Sequence, residues 1–189
     1  MGKVQTGPQR FNYLMPVVLV GTTINDRPNF MTVASCGEVC AEPPMVSVAI
    51  RRHRYTHGGI RQHMTFSVNI PSMEQVKEAD FCGITTGAKV DKAARCKFKV
   101  FYGKLRDAPL IEQCPVNLGC RVIQIINLGS HTLFIGSIEE THVSESVLVN
   151  GKPTINSIQP FIYSMVPSTT YYQLGEEMAR AFSIGKELK

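Results

Sequence analysis

Short apolar runs rich in β-branched residues, each bounded by polar turn-forming residues, recur along this chain. Such runs are read as strands at 16–24, 29–37, 45–51, 65–70, 98–103, 116–127 and 132–142. Between the first two stands Asn25-Asp26, and between the last two Leu128-Gly129-Ser130. Both are turn-forming sets that predict hairpins. Helical spacing is rarer: Tyr55 to His63 is one short segment and Ser72 to Phe81 another. The second opens with Ser72 and carries Gln75 three positions on, the arrangement of a capping box. Strands outnumber helices and do not alternate with them as βαβ units. The pattern therefore predicts a mainly β protein, a closed or partly closed antiparallel barrel of six or seven strands with short connecting helices.

The strand predicted at 29–37 shows how such a pattern divides work. Asn29, Met31, Val33 and Ser35 share one face, while Phe30, Thr32 and Ala34 share the other. Downstream, Val46-Ser47-Val48-Ala49-Ile50 runs into Arg51, Arg52 and Arg54, followed by Tyr55, Thr56, His57 and two glycines. Three guanidinium groups within four positions beside a hydroxyl suit a phosphate, which needs charge and forked donors. Small polar strand residues together with this cluster point to a flat, partly apolar, phosphorylated ligand.

The C-terminal part reads as an extension rather than a second domain. Val149-Asn150-Gly151-Lys152-Pro153 is the candidate linker, and Phe161 to Met165 an expected edge strand. Tyr171, Tyr172, Leu174, Phe182 and Ile184 make the last stretch too apolar to stay free. Packing across a partner subunit is the expectation.

Composition narrows the class. With 189 residues, 43% hydrophobic and 19% charged, the chain is expected to form a single domain, 1–189, able to bury a sizeable core. The longest apolar run, 13–21, is far below the ~20 residues that cross a bilayer, and Met1 to Gly7 lacks an apolar secretion core. Neither a membrane nor an export route is expected. Twenty basic against fifteen acidic residues give a net charge of +5. The basic residues cluster locally, which fits an anion site better than a nucleic-acid surface. Six cysteines without an export signal are expected as reduced thiols in a cytoplasm.

Several residue sets have ordinary readings. His53, His57 and His63 resemble a metal spacing, but no acidic partner stands among them and their arginine neighbours repel a cation. Cys36 and Cys40 leave open a thiol redox protein. The net positive charge leaves open a barrel gripping single-stranded nucleic acid, although aromatics are not interleaved with Arg and Lys along one strand.

The order of motifs carries more. Pro28-Asn29-x-Met31-Thr32-Val33-Ala34, Pro43-Pro44, Arg51-Arg52-x-x-Tyr55-Thr56-His57-Gly58 and Phe66-x-Val68-Asn69-Ile70-Pro71-Ser72 come first. Ala79-Asp80-Phe81-Cys82-Gly83, Asp91-Lys92, Leu128-Gly129-Ser130-His131-Thr132, Phe134-Ile135-Gly136 and Ala181 to Lys186 follow. Spanning nearly the whole chain, they resemble the flavin reductase-like, FMN-binding split-barrel family, in particular its flavoredoxin branch. The resemblance implies a Greek-key split barrel, a non-covalent FMN in each subunit of a homodimer, and electron transfer or flavin reduction. Carried over by position, Asn29, Met31, Thr32, Ala34 and Ser35 would meet the flavin ring and ribityl chain. Arg51, Arg52, Tyr55 and Thr56 would lie near its phosphate, with Lys92 a second phosphate contact, and Asn69, Cys82 and Gly83 would complete the wall. His131 would face the redox substrate. Relatives that oxidise a nicotinamide carry Gly-Asp-His where this chain has Gly129-Ser130-His131. The donor is thus NAD(P)H or a redox protein partner.

Overall fold

The computed structural model describes residues 2–10 and 14–188. Met1, in the segment read for an export signal, and Tyr13, which opens the longest apolar run, lie outside them.

Seven antiparallel strands form the main sheet: β1 (Val18–Ile24), β2 (Arg27–Val33), β3 (Cys36–Cys40), β4 (Met45–Arg51), β5 (Thr65–Ile70), β6 (Val116–Leu128) and β7 (His131–Val143). Their order across the sheet is β2-β1-β5-β6-β7-β4-β3. The outermost strands, β2 and β3, are consecutive in the chain and separated only by Ala34 and Ser35. The sheet must therefore curl until its two edges meet at that corner, where the Ala49 N–H donates to Ser35 O at 2.9 Å. No ladder joins β2 to β3, so strand pairing leaves the sheet open and does not give the closed barrel that the pattern predicts.

The expected hairpins form. Asn25 and Asp26 both take positive φ, 50° and 59°, which matches the twist of a two-residue turn between β1 and β2. The run expected at 29–37 is broken at Ala34-Ser35, and its second half becomes β3 on the opposite edge. The strand expected at 98–103 shrinks to Val100–Phe101, paired with Leu110–Ile111 outside the main sheet. Phe161–Ser164 is central rather than edge, lying between Met15–Pro16 and Thr170–Gln173 in a three-stranded sheet. The expected linker is a small hairpin, Leu148–Val149 on Lys152–Pro153.

Helix α1 (Tyr55–His63) lies against β1. Gly59 permits this approach, because a Cβ there would stand 2.6 Å from Ile24 and 2.7 Å from Thr22. Ser72 and Gln75 form the predicted capping box and lead into α2 (Val76–Ile84); Lys92–Arg95 is the short α3. Strand β2 serves two cores at once. Met31 and Val33 pack inside the curl with Val48, Ile50, Phe66 and Phe134, whereas Phe30 packs under α2 with Leu19, Ala79 and Cys82. One alternating strand thus ties the curl to its helical cover.

Candidate functional site

The C-terminal end of β4 delivers Arg51 and Arg52 to the surface immediately before α1, and Arg54 is the N-cap of that helix. No side chain caps α1 and no acidic residue stands in its first turn. The first backbone N–H groups of a helix lack i−4 acceptors; the His57 N–H donates to Arg54 O at 2.9 Å, which leaves those of Tyr55 and Thr56, and a positive dipole end, among three guanidinium groups. Antiparallel pairing then places His131, the first residue of β7, opposite Arg51. The sheet brings together the arginines expected to hold a phosphate and the one histidine expected to face a redox substrate.

His131 is held by Ser130, whose hydroxyl lies 2.7 Å from Nδ1. Partial burial, then the positive charges of Arg51, Arg10 and His53, push its pKa below the ordinary histidine value. The ring is neutral at neutral pH. Beneath it, His57 in the first turn of α1 is buried; Nε2 lies 3.0 Å from the Thr132 hydroxyl, and the ring meets Phe134 edge-on. Desolvation, with Arg61 and Arg52 nearby, lowers this pKa as well. His57 joins α1 to β7 and so couples the two halves of the site. Sequence reading carried it in the Tyr55-Thr56-His57-Gly58 motif and in a metal spacing but gave it no site role; the signal that could have found it was its place two residues after Tyr55 in a helix start. Among the described residues no set of three or more metal-ligating side chains comes together.

A cleft of about 400 Å³ opens beside α1, lined by Arg27, Asn29, Tyr55, Gly87, Lys89 and Lys92, among others. Three predicted site residues, Asn29, Tyr55 and Lys92, meet here. Asn29 is 4% exposed and donates from Nδ2 to the Thr56 hydroxyl at 2.8 Å, but its Oδ1 has no partner. Gly87 permits the close fit, since a Cβ there would lie 1.9 Å from that oxygen. A buried acceptor left unpaired beside a cleft is costly unless a ligand completes it. Arg27, Gly87 and Lys89 were not singled out in the sequence, because nothing local shows that a β-hairpin and the loop after α2 converge.

Lys92, although it lines the cleft, and several further predicted residues spend their polar groups or their bulk inside the protein. Lys92 is 4% exposed, and its ammonium donates to Phe30 O and Cys82 O at 2.8 Å each. Burial, and more weakly Arg54, lowers its pKa. The Thr32 hydroxyl donates to Ala79 O, and on α2 Cys82 is buried in the core under that helix while Gly83 packs on Thr32, both on the face of β2 away from the core inside the curl. Met31 faces the main core. Asn69 uses its whole amide, giving to Leu19 O and the Ser67 hydroxyl and accepting from Ile111 N–H and Asn117 Nδ2, all within 2.8–2.9 Å. Ala34 and Ser35 sit at the corner between β2 and β3, a few residues along β4 from Arg51.

Residues 10–163 match the model of the flavin reductase like domain. The chain belongs to this family. Its structure is similar to the crystal structure of flavoredoxin from Methanosarcina acetivorans, with a TM-score of 0.95 and 36% identity over 100% of both chains. It is also similar to flavoredoxin of Desulfovibrio vulgaris (Miyazaki F), with a TM-score of 0.90 and 37% identity, covering 97% of this chain and 100% of that one. The reductase component of an FADH(2)-dependent resorcinol hydroxylase from a Rhizobium species is 25% identical over 75% of this chain and 77% of its own length. Among family members, the nucleic-acid and thiol readings find no support in these relatives. Among the described residues no helix is long and apolar enough to cross a membrane.

Proposed function

We propose that this family member is an FMN-binding flavoprotein oxidoreductase that works as a flavoredoxin-type electron carrier, with a split-barrel corner as its flavin seat. The observation that carries the reading is the uncapped start of α1 flanked by Arg51, Arg52 and Arg54, with His131 directly across the ladder. Arg51 and Arg52 would hold the phosphate together with the first-turn N–H groups and the Thr56 segment. Asn29, whose Oδ1 lacks a partner, would receive a hydroxyl or ring N–H, and the small side chains of Ala34 and Ser35 leave room for a planar ring at the corner.

When bound, FMN supplies the capacity to accept and release electrons singly or as hydride. The chain supplies position and electrostatics. Neutral His131 keeps a hydrogen-bonding nitrogen toward the surface without adding charge. Arg51 beside it favours an anionic donor, either the pyrophosphate of NAD(P)H or an acidic patch on a redox protein. Ser130 in place of the acidic residue of nicotinamide-oxidising relatives supports the protein donor. The family resemblance of the sequence implies a homodimer in a cytoplasmic setting, with one FMN per subunit.

The test is to purify the protein with excess FMN and measure stoichiometry from its absorption spectrum. NADH, NADPH or reduced ferredoxin is then added anaerobically. One FMN per chain, bleached faster by reduced ferredoxin than by either nicotinamide, is the expected result. A colourless protein that returns all added FMN on gel filtration contradicts the proposal.

A further inference from the structure

Residues 174–188 leave the three-stranded sheet after Gln173; Leu174 to Glu177 run beside Val149 and Thr154 to Asn156, and beyond them no side chain is buried against the described residues. All but Leu174 are exposed. Four are large and apolar: Phe182 is 100% exposed, Met178 98%, Leu188 93% and Ile184 56%. Side chains of this size, if buried, would each remove about 1.5–3 kcal/mol of unfavourable hydration. A segment so composed needs a receiving surface.

The main sheet has such a surface at the end opposite the arginines. A cavity of about 490 Å³ opens between β3, the start of β4, and the ends of β1, β5, β6 and β7. Its walls are apolar, including Val46, Ile70, Leu118 and Ile138, and its rim carries Cys36, Cys40 and the exposed Glu38. Strand β3 beside it is an edge strand with three of its five residues exposed, so its outer backbone groups have no strand partner. The tail carries Arg180 two residues before Phe182 and Lys186 four residues after it, cations that match Glu38 on the rim and the exposed Glu42 beyond it.

We infer that the tail of one subunit fills the apolar mouth of a second copy, with Phe182 seated among Val46, Ile70, Leu118 and Ile138. This rests on the homodimer reading above and deepens it. The mouth receives two or three side chains, a size that Phe182 with Met178 or Ile184 supplies. Exchange between identical chains is isologous, so two tails fill two mouths and the assembly closes at a dimer. The tail then acts as a clasp that leaves the arginine end of each subunit open.

The test uses the two natural thiols of the mouth. In Phe182→Cys, mild oxidation is expected to give a species of twice the chain mass on a non-reducing gel, with the new thiol joined to Cys36 or Cys40 by peptide mapping. A link formed only within one chain, or no link, overturns the exchange. A chain truncated after Gln173 is compared with the full chain by sedimentation. The dimer constant is expected to weaken by about 100-fold, the effect of losing one large buried side chain or more. A truncated chain as dimeric as the full one overturns the clasp while leaving the dimer standing. A full chain that is monomeric at all concentrations overturns both, and FMN titration of the same samples reports separately on the flavin reading.

Discussion

Two buried asparagines, 40 positions apart on β2 and β5, show the difference between a wall and a seat. Asn69 fills every hydrogen-bonding position of its amide from within the chain. Asn29 is nearly as buried but fills only one side; its Oδ1 is packed against Gly87 without a hydrogen-bond partner, in a residue that lines a polar cleft. Around Asn69 the neighbours are strand backbones and other fixed polar groups. Around Asn29 they are a helix start, a loop and a row of cations. A polar residue with nothing left to give is holding the fold, whereas one with an unused acceptor at the edge of a basic cleft is positioned for something else.

That contrast is sharpened first by stability. Asn69→Ala would strand the Ile111 N–H, take a donor from Leu19 O and leave Asn117 Nδ2 only its bond to Ile111 O, at a cost of about 3–5 kcal/mol in urea unfolding. Asn29→Ala removes one bond and one unpaired acceptor, so its cost should stay near 1 kcal/mol while FMN affinity falls. Equal losses in the two variants would erase the distinction.

Next in size is Arg51→Ala with Arg52→Ala, expected to weaken FMN binding by about 100-fold or more, since hydrogen bonds to charged groups contribute roughly 1.5–3 kcal/mol each. The unfolding midpoint without FMN should hardly move, because both side chains are exposed. Lys92→Met should do the opposite. It removes two charge-assisted bonds to Phe30 O and Cys82 O, lowering stability by about 1–3 kcal/mol and altering FMN affinity less than the arginine pair does. An FMN loss larger than that of the double variant would return Lys92 to the phosphate.

Acid titration gives a smaller effect. The pKa of buried His57 lies below its unfolded value near 6.5, so the unfolded chain binds the extra proton first as pH falls. Its contribution is complete above about pH 6.5 and is lost as pH drops from there through the folded value. His57→Asn should flatten that part of the stability profile; an unchanged profile would show that His57 does not titrate with folding. The smallest effect is expected from Cys36→Ser and Cys40→Ser. Neither thiol lies at the arginine end, so FMN affinity and donor preference should be unaltered.

Much of this was legible in the chain and some was not. Runs of β-forming residues between turn signals marked β1, β4, β5, β6 and β7 within a residue or two; β4 alternates buried and half-buried positions, whereas β1 and β5 are buried almost throughout and were marked by composition. Asn25-Asp26 fixed its hairpin because few residues accept two positive φ values in succession. The break at Ala34-Ser35 could not be read, since both halves are β-forming and only their opposite partners, β1 and β4, separate them. Arg51 and Arg52 were read as an anion site from density of charge, and the fold sets them, exposed, before the start of α1. Lys92 and Asn69 were grouped with them by resemblance alone, and only the fold shows where their polar atoms point. Arg27, Gly87 and Lys89 reach the cleft through tertiary contact, which leaves no local trace.

The most direct measurement of the central claim compares FMN with riboflavin, which differs only in lacking the phosphate, by fluorescence titration of the apoprotein. Capture of the anion at the start of α1 predicts FMN tighter by about 100-fold, with the gap collapsing in Arg51→Ala with Arg52→Ala. Equal affinities for the two flavins in the unaltered protein would contradict the account.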